Sequence, residues 1–168
     1  MSRGIPLTKG RVAIVDENLY DWLNQWKWLC LTTSNGNAYA ARCIGWKGPW
    51  VLMHRLIMNA PDGTEVDHKD GNGLNNVISN LRICNHSQNG MNRSKQQGEY
   101  TSKYKGVSFD GRPNYKNHPW RAAIQACNIQ HDLGHFDTEI EAIKAYNEAA
   151  VYYFGEFAYT NAIPEGDK

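Results

Sequence analysis

An Asp-His pair, Asp67 and His68, is followed by Asn80 and then by Asn89. Residues of these types can hold one hard metal ion and activate one water. Hydrolysis of a phosphodiester needs those functions: a general base of near-neutral pKa, a cation against the developing charge, and rigid placement of both. His68 suits the base. The Asp67 carboxylate and the Asn89 amide oxygen suit the cation, because hard cations prefer oxygen ligands. Neither ligand type selects a softer ion, so Mg²⁺ or Mn²⁺ is expected.

Short elements must position these groups. Glu65 to Lys69 reads as a strand, and Asp70-Gly-Asn-Gly73 supplies the glycines and turn-forming Asp and Asn of a loop. Leu81 to Cys84 reads as the returning strand, with Leu81 and Ile83 on one face. Asn85 is placed to cap a helix running to about Arg93. Asn89 then sits one turn inside that helix, where its side chain can face the first strand.

This strand, loop, strand and helix resembles the ββα-metal unit of the HNH nucleases. The resemblance is closest to the homing-endonuclease branch, where Asp-His, an Asn before Leu-Arg and a helical Asn follow in this order. It implies that Asp67 and Asn89 bind the metal and that His68 is the general base. Asn80 joins the catalytic set by stabilising the loop between the strands through hydrogen bonds. Met53-His54-Arg55-Leu56-Ile57-Met58 is similar to the short helix before the finger in these proteins. His54 and His86 are expected to pack or to contact phosphate rather than to bind metal.

The chain is 168 residues long, enough for one domain or two small ones, and 41% apolar. It has no apolar run of membrane-spanning length and no charged-then-apolar N-terminal signal. A soluble intracellular protein is expected, cytoplasmic or nucleoid-associated in a bacterial or phage-infected cell. Cys30, Cys43, Cys84 and Cys127 form no C-x-x-C pair, which argues against a structural zinc finger and leaves buried free thiols as the expectation. The net charge of +1 conceals an asymmetry. Residues 1–137 hold 16 basic and 11 acidic side chains, whereas residues 138–168 hold 2 and 6. Local positive charge draws a protein onto phosphates, so the acidic C-terminal stretch is expected to face away from DNA.

The predicted fold class is α+β. In front of the finger, residues 5–15 alternate partly as strands around Lys9-Gly10, with Val12 and Ile14 on one side. Asp16 can cap a short helix containing Leu19, Trp22 and Leu23. Trp26–Leu31 and Ala38–Cys43 read as a hairpin joined through Asn35-Gly36. The Trp residues of this section are expected in the core, given the area each buries. Residues 1–92 are thus read as one nuclease unit with its finger at about 64–93, and the polar segment 93–103 as a linker. A second domain over 104–161 and a tail over 162–168 complete the chain.

In the second domain, Gly106–Phe109, Trp120–Ala126 and Ile129–Phe136 read as strands, the last two joined by a turn at Cys127-Asn128. Thr138-Glu-Ile-Glu141 is a capping box opening a helix to about Phe154. Three antiparallel strands against one helix are predicted. Here Tyr104-Lys-Gly-Val107, Trp120-x-Ala-x-Ile124, Leu133-Gly-x-Phe136, Glu141-Ala-x-x-Ala-Tyr146, Phe154-Gly155 and Asn161 resemble the ethylene-response-factor (Apetala-two) DNA-binding domain. That resemblance implies a sheet entering the major groove of double-stranded DNA. Lys105, Arg121, Gln125 and Gln130 are expected to face outward from it, with Arg112 and Lys116 in the hairpin loop contacting phosphates. Ser108, Ala123 and Asp132 stand where the plant family carries arginines and an aromatic, so no target sequence is implied.

The two resemblances together imply a site-directed, homing-type endonuclease that nicks double-stranded DNA, as monomer or dimer. A DNA-binding regulatory protein with a silent finger is the alternative left open.

Overall fold

The computed structural model describes residues 1–34, 36–46, 48–95 and 98–164. Asn35 of the expected Asn35-Gly36 turn, Gln96 and Gln97 of the expected linker, and residues 165–168 of the expected tail lie outside the described residues. The chain divides into two compact units, one over Met1–Gly90 and one from Met91 onward. No helix among the described residues is long and apolar enough to cross a membrane.

The first unit opens with β1 (Ser2–Pro6) and β2 (Val12–Asp16), paired antiparallel so that Ile5 lies opposite Ala13. The tight turn between them uses left-handed backbone at Lys9 and Gly10. Val12 and Ile14 share a face, but the buried face is that of Ala13 and Val15. Ile14 serves through its backbone instead. Its N–H donates to the Leu74 carbonyl and its carbonyl accepts from Asn76 N–H, which pins the loop carrying Leu74 and Asn76 to the edge of β2.

Helix α1 (Glu17–Asn24) follows and buries Leu23. Asp16 occupies its N-cap position without capping it. The carboxylate accepts from the Ile78 N–H at 2.7 Å, a bond made 62 residues away in sequence. Strands β3 (Leu29–Thr32), β4 (Ala38–Cys43) and β5 (Trp50–Leu52) then form one antiparallel sheet in that order. Trp28 is buried, with its indole N–H donating to the Leu23 carbonyl. Trp22, Trp46 and Trp50 are exposed, contrary to expectation. Trp46 lies in the loop between β4 and β5, beyond reach of the small core.

Helix α2 (Met53–Ile57) precedes the finger, and its Met53 is fully buried in that core. Arg55 donates to the carbonyls of Ala60, Pro61 and Thr64, holding the loop that leads into β6 (Glu65–His68). Strand β7 (Leu81–Cys84) returns antiparallel, with Asp67 opposite Arg82 and Glu65 opposite Cys84. Leu81 is buried, whereas Ile83 on the same face is exposed. Asn85 then accepts from Gln88 N–H while the Gln88 amide oxygen accepts from Asn85 N–H. This reciprocal cap opens α3 (His86–Met91).

In the second unit, β8 (Val107–Phe109), β9 (Trp120–Ala126) and β10 (Ile129–Phe136) form a sheet ordered β10-β9-β8. Cys127 and Asn128 both have positive φ, the requirement of a two-residue type I′ turn. The turn leaves the Cys127 thiol exposed, and Cys43 is half-buried, so only Cys30 and Cys84 are buried as expected. Helix α4 (Glu139–Phe154) starts at the Thr138/Glu141 capping box and packs Ala142, Ile143, Tyr146 and Ala150 against Val107, Ala122 and Ile124. Gly106 has φ +74°, and a Cβ there would fall 2.1 Å from the Tyr146 ring. Only glycine fits this turn. Asn161 exchanges two hydrogen bonds with the Lys105 backbone and two with Asn147, closing the unit.

Candidate active site

Strand β6 carries the site, and alternation divides its side chains between two faces. Glu65 and Asp67 project to one, Val66 and His68 to the other. On the first face Asp67 is buried and its Oδ2 accepts from Arg82 Nε at 2.8 Å and Nη2 at 2.6 Å. The guanidinium compensates a carboxylate charge that burial alone would make costly. Asn89, half-buried on α3, donates through Nδ2 to Glu65 Oε2 at 2.5 Å, and His86 Nδ1 donates to Glu65 Oε1 at 2.8 Å. Helix α3 is thus fastened over the face that bears Asp67. His86 is exposed and His54 is not, so the two unassigned histidines have different environments.

On the opposite face His68 is buried, with its ring edge-on to His54 at 4.9 Å and near Tyr39 at 6.0 Å. Its Nε2 lies 3.4 Å from Oδ1 of Asn76, a fully buried residue whose Nδ2 donates to the Leu74 carbonyl. With its amide so committed, Asn76 offers the ring an acceptor. The His68 Nε2 then carries the proton, leaving Nδ1 as the basic nitrogen. Burial lowers the His68 pKa, and the Asn76 hydrogen bond and the Asp70 and Asp67 charges offset part of that drop. His54 is pushed down to about 3 by burial, with His68 and Arg55 adding to the effect. Its Nδ1 is buried without a hydrogen-bond partner among the described residues.

The loop between the strands is held by amides. Asn80 donates through Nδ2 to Asp70 Oδ1 and the Asn75 carbonyl, and its Oδ1 accepts from Asp70 N–H. Asp70 also accepts from Asn72 N–H and Asn75 Nδ2. Partial burial works to raise the Asp70 pKa, but these bonds and the nearby His68 outweigh it and hold the carboxyl below its ordinary value. Gly73 lies against Tyr39, where a Cβ would meet the ring at 2.5 Å.

The residues matching this finger have counterparts elsewhere. Residues 51–91 match the family model described as HNH endonuclease. An uncharacterized HNH endonuclease, L560, of Acanthamoeba polyphaga mimivirus is 32% identical over 157 residues, covering 92% of this chain and 77% of its own. The chain belongs to the HNH endonuclease family. Protein 3.8 of Escherichia phage T7 is 33% identical over 73 residues, 44% of this chain and 56% of its own. No solved structure matches. The HNH endonuclease is therefore a nuclease acting on DNA.

Within this HNH endonuclease the expected ligand pair is separately engaged, Asp67 by Arg82 and Asn89 by Glu65. Among the described residues no group of three His, Cys, Asp or Glu side chains could hold a metal. The donor set still fits a hard divalent cation. Asp67 and Asn89 offer oxygens only, and Mg²⁺ typically takes one or two protein groups and completes its shell with water and phosphate. Glu65, Asn76 and Arg82 are the residues that sequence reading missed. Glu65 is two residues before Asp67 on the same strand face, and Arg82 is its cross-strand neighbour, so hairpin register could have found both. Asn76 carries no such signal.

In the second unit the expected DNA-facing residues are distributed unevenly. Lys105 does not face outward. Its ammonium is half-buried and donates to the carbonyls of Met91 and Arg93, and burial pushes its pKa down to about 8. It precedes β8 and turns back toward the start of the unit, where those carbonyls need donors. Arg121 lies on the outer sheet face but pairs with Asp132 at 3.1 Å. Arg112 is exposed and forks onto Asp110. Lys116, Gln125 and Gln130 are exposed, with the two glutamines directly cross-strand.

Proposed function

We propose that the chain is a metal-dependent, homing-type endonuclease that cuts one DNA strand per active site. The observation carrying this reading is His68, a buried imidazole oriented by Asn76 and held on the strand that also bears Asp67. Burial favours its neutral form, so the ring is ready to accept a proton at neutral pH.

In this reading His68 takes a proton from water as the water oxygen bonds to phosphorus and the bond to the 3′ oxygen breaks. The departing 3′ oxygen takes its proton from solvent water, and the products carry 5′-phosphate and 3′-hydroxyl ends. Asp67 and the Asn89 amide oxygen would hold Mg²⁺ or Mn²⁺, which supplies positive charge against the pentavalent phosphate and the departing oxygen. Asn80 keeps the loop closed, and Asn76 fixes the tautomer and direction of His68. The second unit would bind duplex DNA as a sheet-type domain similar to the ethylene-response-factor family. Gln125 and Gln130 are its best-placed base contacts, with Lys116, Arg112 and Arg121 facing phosphates once the ion pairs of the arginines exchange.

Supercoiled plasmid carrying the native flanking DNA tests the reading, incubated with Mg²⁺, with Mn²⁺ or with chelator, beside His68→Ala. Metal-dependent nicking that the variant loses is expected. Cleavage that survives chelation, or that survives His68→Ala, would overturn the assignments.

A further inference from the structure

Glu65 has no role in the chemistry described above, yet its carboxylate receives two side chains from α3. Asn89 Nδ2 reaches Oε2 at 2.5 Å and His86 Nδ1 reaches Oε1 at 2.8 Å. A carboxylate has acceptors and no donor, so this contact decides which way the Asn89 amide is turned. Its nitrogen must face Glu65, and its oxygen is directed away from it. An asparagine without such a partner samples other side-chain rotamers as well as both amide senses, and most of those orientations cannot serve a cation. We infer that Glu65 is a positioning residue of the active site, which presents the Asn89 amide oxygen to a divalent cation by accepting from its nitrogen. The inference rests on the reading of Asn89 as a metal ligand. Outer partners of this kind govern ligand orientation, and their loss typically weakens metal affinity by about 10–100-fold.

Glu65 is suited to the task by its place. It stands two residues from Asp67, so both side chains leave the same face of β6, and its cross-strand neighbour is the small Cys84. The carboxylate therefore has room to lie beneath α3. A purely mechanical staple between strand and helix would use both of its bonds alike. Orientation of the amide uses only the bond to Asn89, and this difference separates the two roles.

The test is Mn²⁺ binding to the full chain, followed by electron paramagnetic resonance, with Glu65→Leu, Glu65→Gln, Asn89→Ala, His86→Ala and the Glu65→Leu/Asn89→Ala pair. Glu65→Leu should bind Mn²⁺ about tenfold more weakly or worse. Glu65→Gln keeps an acceptor but adds a donor that can face the Asn89 oxygen, so it should fall between wild type and Glu65→Leu, whereas His86→Ala should stay close to wild type. In the Asn89→Ala background, Glu65→Leu should add nothing. Asn89→Ala binding Mn²⁺ like wild type would refute Asn89 as a ligand. Weakened binding in Asn89→Ala with normal binding in Glu65→Leu would refute the role of Glu65 alone. Equal losses in His86→Ala and Glu65→Leu would make Glu65 a staple. Should Glu65→Leu fail to fold, the side-chain amide protons of Asn89 in the wild-type NMR spectrum decide. One shifted downfield, and both moved by Mg²⁺, is expected; averaged signals indifferent to Mg²⁺ would overturn the proposal.

Discussion

Two buried contacts on β6 do different work, and single substitutions separate them. Arg82 compensates the Asp67 charge at 2.6 Å with both side chains largely buried. Arg82→Ala removes both guanidinium bonds from that buried carboxylate, and chemical denaturation should show a loss of about 3–5 kcal/mol. Asn76 instead acts on direction. Asn76→Ala removes the acceptor on His68 Nε2, so the imidazole can exchange tautomers and turn. Its kcat should fall by more than tenfold while DNA affinity stays within about twofold, the pattern expected of a group that orients a general base. Because burial holds the His68 pKa below the ordinary value of 6.5, the acid limb of the wild-type kcat profile should lie below that pH. An acid limb above 6.5 would contradict the buried, neutral base. His68 and Asp67 were legible in the sequence as a pair of useful residue types. Their different faces were not, since adjacency along a strand means opposition across it.

At the level of elements, local signals survived where the chemistry is local. The Thr138/Glu141 capping box, the Asn85 cap and the Cys127-Asn128 turn all depend on neighbours within four residues. Long-range substitutions of role escaped. Asp16 stands where a cap should be, but the N–H of Ile78 takes its carboxylate, because that loop donor has no strand partner. Lys105 looked like a sheet residue until its ammonium found the Met91 and Arg93 carbonyls. Gly73 shows how a loop residue reaches the site through packing. A Cβ there would fall 2.5 Å from both the Ala38 carbonyl oxygen and the Tyr39 ring, so any side chain must displace the strand backbone and the ring, and Tyr39 lies beside the His54 and His68 rings. Gly73→Ala is therefore expected to lower kcat severalfold with the fold intact by circular dichroism, whereas Gly71→Ala, with open space around it, should act only through its left-handed backbone. Equal kcat for Gly73→Ala and wild type would show that the ring shift is harmless.

For the molecule as a whole, the two units have separate cores, and their acid sensitivities should differ. His54 and His68 both lie in the first unit, buried, with folded pKa values below the unfolded value of 6.5. The unfolded chain then binds more protons between the folded pKa and 6.5, so stability rises with pH through that window and is lost on acidification. The loss begins below pH 6.5 and, for His54, continues to about pH 3. Five of the six tryptophans belong to this unit, so their fluorescence reports its unfolding. Urea midpoints followed in this way should fall from pH 7 to pH 4.5. His54→Leu should flatten the decline, by up to about 1.4 kcal/mol per pH unit for the one proton removed. A slope unchanged in that variant would mean that His54 is not buried neutral. The same separation of cores bears on substrate choice. Deleting residues 96–168 should leave the finger's chemistry and cost affinity and site selection, because the chain would retain β6, β7 and α3 but lose the sheet bearing Gln125 and Gln130. Loss of phosphate contacts should also reduce the salt dependence of binding, by about one unit of log–log slope for each contact removed. If the truncated chain cut the same site with the same salt slope, selection would reside in the first unit, and its exposed Trp46 and Trp50 would become the surface to probe for base contacts.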